Sequence, residues 1–314
     1  MPSTWSRRGF LLALAAGSAA AAAGCRSTPP GTVADDGSVT VAHAFGETKV
    51  PGPPTRVVSA GLTGQDCLLA VGVIPIGVTE WFGGQPFGVW PWAAPALGGA
   101  QPAVLHLDNG LDFEAITALN PDLIIATNAG LDRDTYTRLA NVAPTLAQSG
   151  PDAFFEPWKD QARAIGAVVF KNDEMQQLIT DIDNRFTTLG AENAVFKGKR
   201  ALLLHGDPPT GDLVTTPPGW RTEFLTQLGF DVPEVDPTIP RDRMAEVLGA
   251  ADVLIWTADD AEIAALTADP IVAEQGPRNV FTGRDLGAAI TFSSPLSLAM
   301  VADRLPPMLR TALG

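Results

Sequence analysis

Three histidines, at positions 43, 106 and 205, and two cysteines, at 25 and 67, are the only nitrogen and sulfur metal ligands in the chain. Their scatter matches no metal-site spacing. His205 and Asp207 come nearest to a general base with its orienting carboxylate, yet no nucleophile accompanies them. There is no Gly-x-Ser-x-Gly elbow, no His-Glu-x-x-His pair and no glycine-rich phosphate loop after a strand. An enzyme needs a positioned constellation of such groups, and none is offered. The chemistry is therefore that of holding a ligand, without catalysis and without a cofactor. What the chain does concentrate is aromatic surface. Trp81 to Trp92 carries five aromatics in twelve residues, with three glycines and two prolines, and keeps neither a helical nor a strand period. Such a loop provides a stacking wall for a large, flat or conjugated molecule, unless it packs on itself. Trp81, Trp90 and Trp92 would form one wall, and Trp220 and Trp256 the facing one. Arg221 follows Pro218-Gly219 at a helix start, where helix-terminal amides add to its positive field. His205 and Tyr136, the single tyrosine, either offer polar contacts to a ligand or pack within their own lobes. His43 reads as a structural strand residue and Cys67 as a buried, inert thiol.

These residues need elements to position them, and the chain repeats one phrase twice. Arg56-Val57-Val58-Ser59-Ala60 is answered by Arg200 to His205. Asn120-Pro121-Asp122-Leu123-Ile124-Ile125 is answered by Ala250-Ala251-Asp252-Val253-Leu254-Ile255. Each half reads strand, helix, strand, helix, strand, with a helix over Trp220 to Leu228 and a further strand at Phe230-Asp231-Val232 in the second half. Near-continuous apolar strands alternating with helices imply mostly parallel central sheets covered on both faces. Between the halves, apolar residues recur at helical spacing from Trp158 through Ile165, Ile182 and Phe186 to Leu189. Asn172-Asp173 with Gln176 reads as a cap restarting the helix after a short break. Roughly thirty-five helical residues would span about 50 Å. This predicts an α/β fold of two αβ lobes joined by one long spanning helix, the other reading being two ordinary helices in one continuous domain. Trp81, Tyr136, His205, Trp220, Arg221 and Trp256 then share the carboxyl edges of their sheets, which face each other across a cleft.

The start of the chain is a separate signal. Arg7-Arg8-Gly9-Phe10-Leu11 and a short apolar run ending in Ala22-Ala23-Gly24-Cys25 read as a twin-arginine export peptide with a lipobox. Cleavage before Cys25 would leave that cysteine lipidated; plain cleavage would free a secreted protein. The expected layout is a signal peptide over 1–24, a tether over 25–37, a first lobe over 38–154, a linking helix over 155–198 and a second lobe over 199–314. The net charge of −14, deepened by two once Arg7 and Arg8 are removed, argues against nucleic acid and against binding anionic lipid headgroups.

The lipobox, the two lobes, the spanning helix and the phrase Phe113 to Ile125 resemble iron-siderophore, haem and cobalamin substrate-binding lipoproteins of ATP-driven importers. Trp81-Phe82-Gly83, Val89-Trp90-Pro91-Trp92 and Phe154-Phe155-Glu156-Pro157-Trp158 are similar to the mycobacterial and actinobacterial iron-transport members. The resemblance implies a monomer that holds a ferric siderophore or haem between its lobes and delivers it to an importer permease, with a lipid anchor on the outer face of the cytoplasmic membrane. It also implies a docking carboxylate on each lobe. Asp242 matches that position in the second lobe. In the first, Leu97-Gly98-Gly99-Ala100-Gln101 lacks the expected glutamate, and Asp112 or Asp108 would substitute. The competing function is an envelope lipoprotein that contacts proteins or cell wall without importing anything.

Overall fold

The computed structural model describes residues 31–314 apart from 82, 108–109, 152–153, 155 and 206–210. The export peptide, Cys25 and Asp207 lie outside the described residues. The described chain opens with an antiparallel hairpin, β1 (Val39–His43) and β2 (Gly46–Val50). Its inward valines 39, 41 and 50 are buried, as period-two alternation requires.

Two five-stranded sheets follow. The first contains β3 (Val57–Ser59), β4 (Gly77–Thr79), β5 (Ala103–Leu105), β6 (Leu123–Ile125) and β7 (Thr145–Leu146), in the order β5-β4-β3-β6-β7, all parallel. Helices α1 (Gly64–Ala70), α2 (Phe113–Ala118) and α3 (Arg133–Ala140) connect them. Two further helices leave this lobe, α4 (Trp158–Val168) and α5 (Asn172–Glu192). The second sheet contains β8 (Ala201–His205), β9 (Leu213–Thr216), β10 (Thr238–Ile239), β11 (Val253–Thr257) and β12 (Asn279–Phe281). Its helices are α6 (Glu223–Gln227), α7 (Met244–Gly249), α8 (Asp260–Ala268), α9 (Pro270–Ala273), α10 (Gly283–Thr291) and α11 (Pro295–Leu313).

The order of the second sheet, β10-β9-β8-β11-β12, repeats that of the first. Each sheet starts at its central strand, adds two strands on one side and then two on the other. The strand order reverses between β3 and β6 and between β8 and β11, which puts a crevice at the carboxyl ends of those pairs. The joints are alike too. Asp122 accepts from the amides of Thr55 and Arg56 ahead of β3, and Asp252 accepts from the amide of Arg200 ahead of β8. The repeated phrases in the sequence are thus repeated local structure.

One strand differs from expectation. Phe230-Asp231-Val232 makes only a single bridge, from Asp231 to Arg200. Pro233 and Pro237 lack the amides that a longer ladder needs. The strand beside β8 is instead β9, running antiparallel through Val214, Thr215 and Thr216.

The stretch between the lobes also differs in detail. Phe170 takes a left-handed φ of 59°, and the Lys171 amide donates back to the Gly166 carbonyl at 2.7 Å. That six-to-one bond is a Schellman stop with phenylalanine where glycine is usual. The break falls where the sequence placed it, but its chemistry is this stop; Lys171 precedes α5 and no side chain caps it. The chain turns sharply enough that a Cβ on Gly166 would stand 2.6 Å from the Met175 Cβ. So α4 packs into the first lobe against β1 and α1, and the spanning helix is α5 alone, 21 residues or about 31 Å.

One apolar cluster runs through all of this. It joins Val57 and Ile125 of the first sheet, Trp158, Ile165, Ile182 and Phe186 of the two helices, and Leu203 and Ile255 of the second sheet. The lobes share a core along α4, α5 and α11, which leaves little freedom for a wide hinge. Lys159 on α4 adds a polar tie, pairing with Asp183 on α5 at 2.8 Å and Glu223 on α6 at 2.9 Å.

Candidate ligand cleft

At the first lobe's switch point the strand-end loops fill their own crevice. Thr63 and Asn128 both adopt left-handed φ, 68° and 54°. Asn128 Nδ2 donates to Thr63 Oγ1 at 2.9 Å, Thr63 Oγ1 donates to Gln161 Oε1 at 3.0 Å, and Gln161 Nε2 donates to Thr127 Oγ1 at 2.8 Å. This buried chain ties α4 to the strand ends. Nothing in the residue pattern announced it, because its members lie 34 to 98 positions apart.

The aromatic loop leaves β4. Positive φ at Gly83, Gly84, Phe87 and Gly88 winds it tightly. Trp81 donates its indole N–H to the Gly88 carbonyl at 3.1 Å and stands edge-on to Trp90 at 6.0 Å. Trp90 stacks on Trp92 at 4.9 Å with only 8° between the planes. Trp81 and Trp90 are buried and Trp92 is half-buried. These three rings pack on one another and against the second lobe and do not stand open as a wall. The second lobe covers them: Phe292 lies edge-on to Trp81 at 4.7 Å, and Ala288 packs on the same cluster. The Trp90 indole N–H has no partner among the described residues. Trp92 donates to Asp66 Oδ2 at 2.6 Å, and Ser294 Oγ, from the second lobe, donates to the same oxygen at 2.7 Å. Asp66 is completely buried, and burial pushes its carboxyl up to about 6 against the pull of those two bonds.

The second lobe holds the open part. His205 ends β8 and Thr257 ends β11, on either side of the switch point. His205 Nε2 lies 2.9 Å from Thr216 Oγ1 and Nδ1 lies 3.3 Å from Thr257 Oγ1. Thr257 spends its own proton on the Leu204 carbonyl, so Nδ1 carries the hydrogen and Nε2 accepts from Thr216. Burial, and then the positive charge of Arg221, lower the His205 pKa, disfavouring the charged ring. Arg221 lies over Trp220, 4.3 Å from the ring centroid, and burial lowers its pKa as well. His205, Arg221, Thr215, Thr216 and the α10 residues Ile290 and Thr291 line a cavity of about 230 Å³.

The other sequence-derived candidates lie elsewhere. Trp256 is fully buried, donates to Asn279 Oδ1 at 2.9 Å and packs on Phe281, so it belongs to the second lobe's core and not to a wall. Its place on the strand next to β8 suggested the cleft, but its side chain takes the strand's other face. Tyr136 stacks on Phe45 at 5.0 Å and reaches His43 Nε2 at 3.4 Å, which turns it toward the N-terminal hairpin and away from His205. Asp112 caps α2 by accepting from the Ala115 amide at 2.9 Å. Asp242 is exposed on the turn Arg241–Arg243. Cys67 is buried and burial raises its pKa well above the usual thiol range, so it is inert. Among the described residues no group of three or more His, Cys, Asp or Glu is placed to hold a metal ion, and no helix is long and apolar enough to cross a membrane. The residue that sequence reasoning missed is Arg284, at the start of α10, whose Nη2 crosses to donate to the Gly83 carbonyl in the first lobe. A lone arginine after Gly283 carries no signal in the sequence.

Two like-ordered α/β lobes on one spanning helix, with a cavity at a switch point, define a bilobal solute-binding protein. Residues 57–276 match the model of the periplasmic binding protein family, and the chain belongs to that family. Its members bind solutes and are not enzymes. A periplasmic solute-binding protein of Mycobacterium smegmatis is 62% identical in its crystal structure, with a TM-score of 0.86 over 89% of this chain and 100% of that one. The iron uptake ABC transporter substrate-binding protein PiaA of Streptococcus pneumoniae is 25% identical, with a TM-score of 0.70 over 88% of this chain and 99% of that one. A probable siderophore-binding lipoprotein of Bacillus subtilis, YfiY, is 30% identical over 48% of this chain and 44% of its own length. The chain thus spans about half the length of that curated relative.

Proposed function

We propose that this protein binds a ferric siderophore between its lobes outside the cytoplasm and delivers it to an ABC importer, anchored by a lipid on Cys25. The observation that carries the reading is the His205–Arg221 cavity at the second lobe's switch point, where a partly desolvated cation and a few polar groups stand in a largely apolar, half-open hollow. The iron-uptake and siderophore-binding names of relatives support the same ligand class. At about 230 Å³ the cavity is smaller than the usual range for a sizeable ligand, so it would admit only part of the complex. A siderophore already saturates its iron and needs only hydrogen bonds and charge from the protein. Haem is disfavoured, because His205 commits both ring nitrogens to threonines and Tyr136 faces the hairpin. The test is a tryptophan-fluorescence titration of the purified chain with a panel of ferric siderophores and with haem. At least one ferric complex should bind, and Arg221→Ala should weaken it by about 1.5–3 kcal/mol, the range for a charged hydrogen bond. Binding of haem alone, or of no complex in the panel, would refute the reading.

A second reading, an envelope protein acting through protein contacts, is favoured by one feature. Pro86, Phe87, Val89, Pro91, Pro95 and Leu97 line an uncharged outward groove of about 580 Å³ in a chain that is 18% charged. Loss of an envelope phenotype on Phe87→Asp, with ferric-complex binding intact, would favour it.

A further inference from the structure

Arg284 is the second residue of α10, just after β12, at the same carboxyl edge that carries His205. It is exposed, and among the described residues it pairs with no carboxylate. Its guanidinium crosses to the first lobe instead. Nη2 donates to the Gly83 carbonyl, and the group lies 5.6 Å from the Trp90 ring centroid. Gly83 has φ +91°, and a Cβ there would stand 2.8 Å from Arg284 Nη2 and 2.9 Å from the Trp90 ring. The loop admits the guanidinium because residue 83 has no side chain. From Arg284, α10 runs to Ile290 and Thr291, which line the His205–Arg221 cavity. Thr291 is seven helical steps beyond Arg284, about 10 Å along the axis. The clasp and the cavity are therefore two ends of one helix, within reach of one large ligand.

We propose that Arg284 is a second ligand cation, which passes from the Gly83 carbonyl to an anionic oxygen of the ferric complex and makes the cleft select complexes of net negative charge over neutral ones. The proposal rests on the ligand reading above. An exposed bond to a neutral carbonyl is the weaker partner in this exchange. A bond to a carboxylate or catecholate oxygen is stronger because both partners are then charged, and the planar fork of arginine engages such groups through two parallel bonds. The exchange would also release the loop, because the incoming anion takes the cation that holds it. In a chain of net charge −14, long-range attraction of an anion is unavailable, so selection has to come from cations at the cleft itself.

The test compares ferric citrate, which is anionic, with ferrichrome, which is neutral, by tryptophan-fluorescence titration of the full chain. Arg284→Ala and Arg284→Gln should each weaken ferric citrate by about tenfold or more and leave ferrichrome within about twofold. Gly83→Ala removes the clasp and keeps the cation, so it should bind ferric citrate at least as tightly as the wild type. Circular dichroism checks that each variant is folded, and the glutamine variant preserves side-chain size and polarity. Wild-type ferric citrate affinity in both Arg284 variants, with Arg221→Ala still weakened, would overturn the role of Arg284 and leave the ligand reading standing. Equal weakening of both complexes would mean a structural clasp without charge selection and would also overturn it. A wild-type chain that binds neither complex would overturn this inference, and the reading beneath it falls only if no ferric complex of the wider panel binds.

Discussion

Asp66 should make the stability of this protein fall as the pH rises from about 4 to about 6. Its carboxyl lies wholly inside the junction of α1, the aromatic loop and the start of α11. Only Oδ2 is served, by Trp92 and Ser294; Oδ1 has no partner among the described residues. Burial raises its pKa from 3.8 to about 6. Because the folded value lies above the unfolded one, its stabilising contribution is complete below about 3.8 and is lost as the pH rises through about 6. At about 1.36 kcal/mol for each pH unit, the change amounts to about 3 kcal/mol. Asp66→Asn keeps an acceptor for Trp92 and Ser294 but cannot ionise. The assay is urea denaturation of both proteins at pH 4, 5, 6 and 7, followed by tryptophan fluorescence. Other carboxylates titrate in both proteins and cancel in the difference. The gap between wild type and variant should move by about 2 kcal/mol in the variant's favour between pH 4 and pH 7. Parallel curves would mean that Asp66 is hydrated, and that the junction between the lobes is wetter and looser than its geometry implies.

Phe186 is 1% exposed on α5 and packs on Phe224 of the second lobe, so Phe186→Ala should cost about 3–5 kcal/mol by chemical denaturation; a loss under about 0.5 kcal/mol would remove α5 from the shared core. Asp242→Ala should spare ligand binding yet lower uptake in cells that depend on this protein, since an exposed rim charge positions a partner more than it holds a ligand; unchanged uptake would take Asp242 out of the docking surface. Cys25→Ala should abolish fatty-acid labelling and release the protein from the membrane fraction, and retained labelling would move the anchor elsewhere.

What the residues determined by themselves was local. The period of three and four from Trp158 to Phe186, the apolar runs at Val57 and Ala201, and the repeated Asp122 and Asp252 joints were enough for two like-ordered lobes and a helical connector, because those signals depend on neighbours in the chain. The same short range shows where such reading ended. The stop after α4 came from a phenylalanine in a left-handed conformation, a role that Phe170 does not advertise. His205 was legible because it ends a strand at a sheet edge; Arg221, expected to open a helix, instead lies in the turn two residues ahead of α6, and one cavity holds both. Trp256 was not, since a strand residue's position says nothing about which of two covered faces it takes. The aromatic loop marks the clearest division. Composition fixed that Trp81, Trp90 and Trp92 would gather, but whether they faced solvent, ligand or protein depended on Phe292, Ser294 and Arg284, about 200 residues away. Desolvation is a property of what surrounds a side chain in three dimensions. Only the packing of the second lobe against the first decided that these rings would be covered, that Asp66 would be raised, and that Arg284 would stand at the cleft.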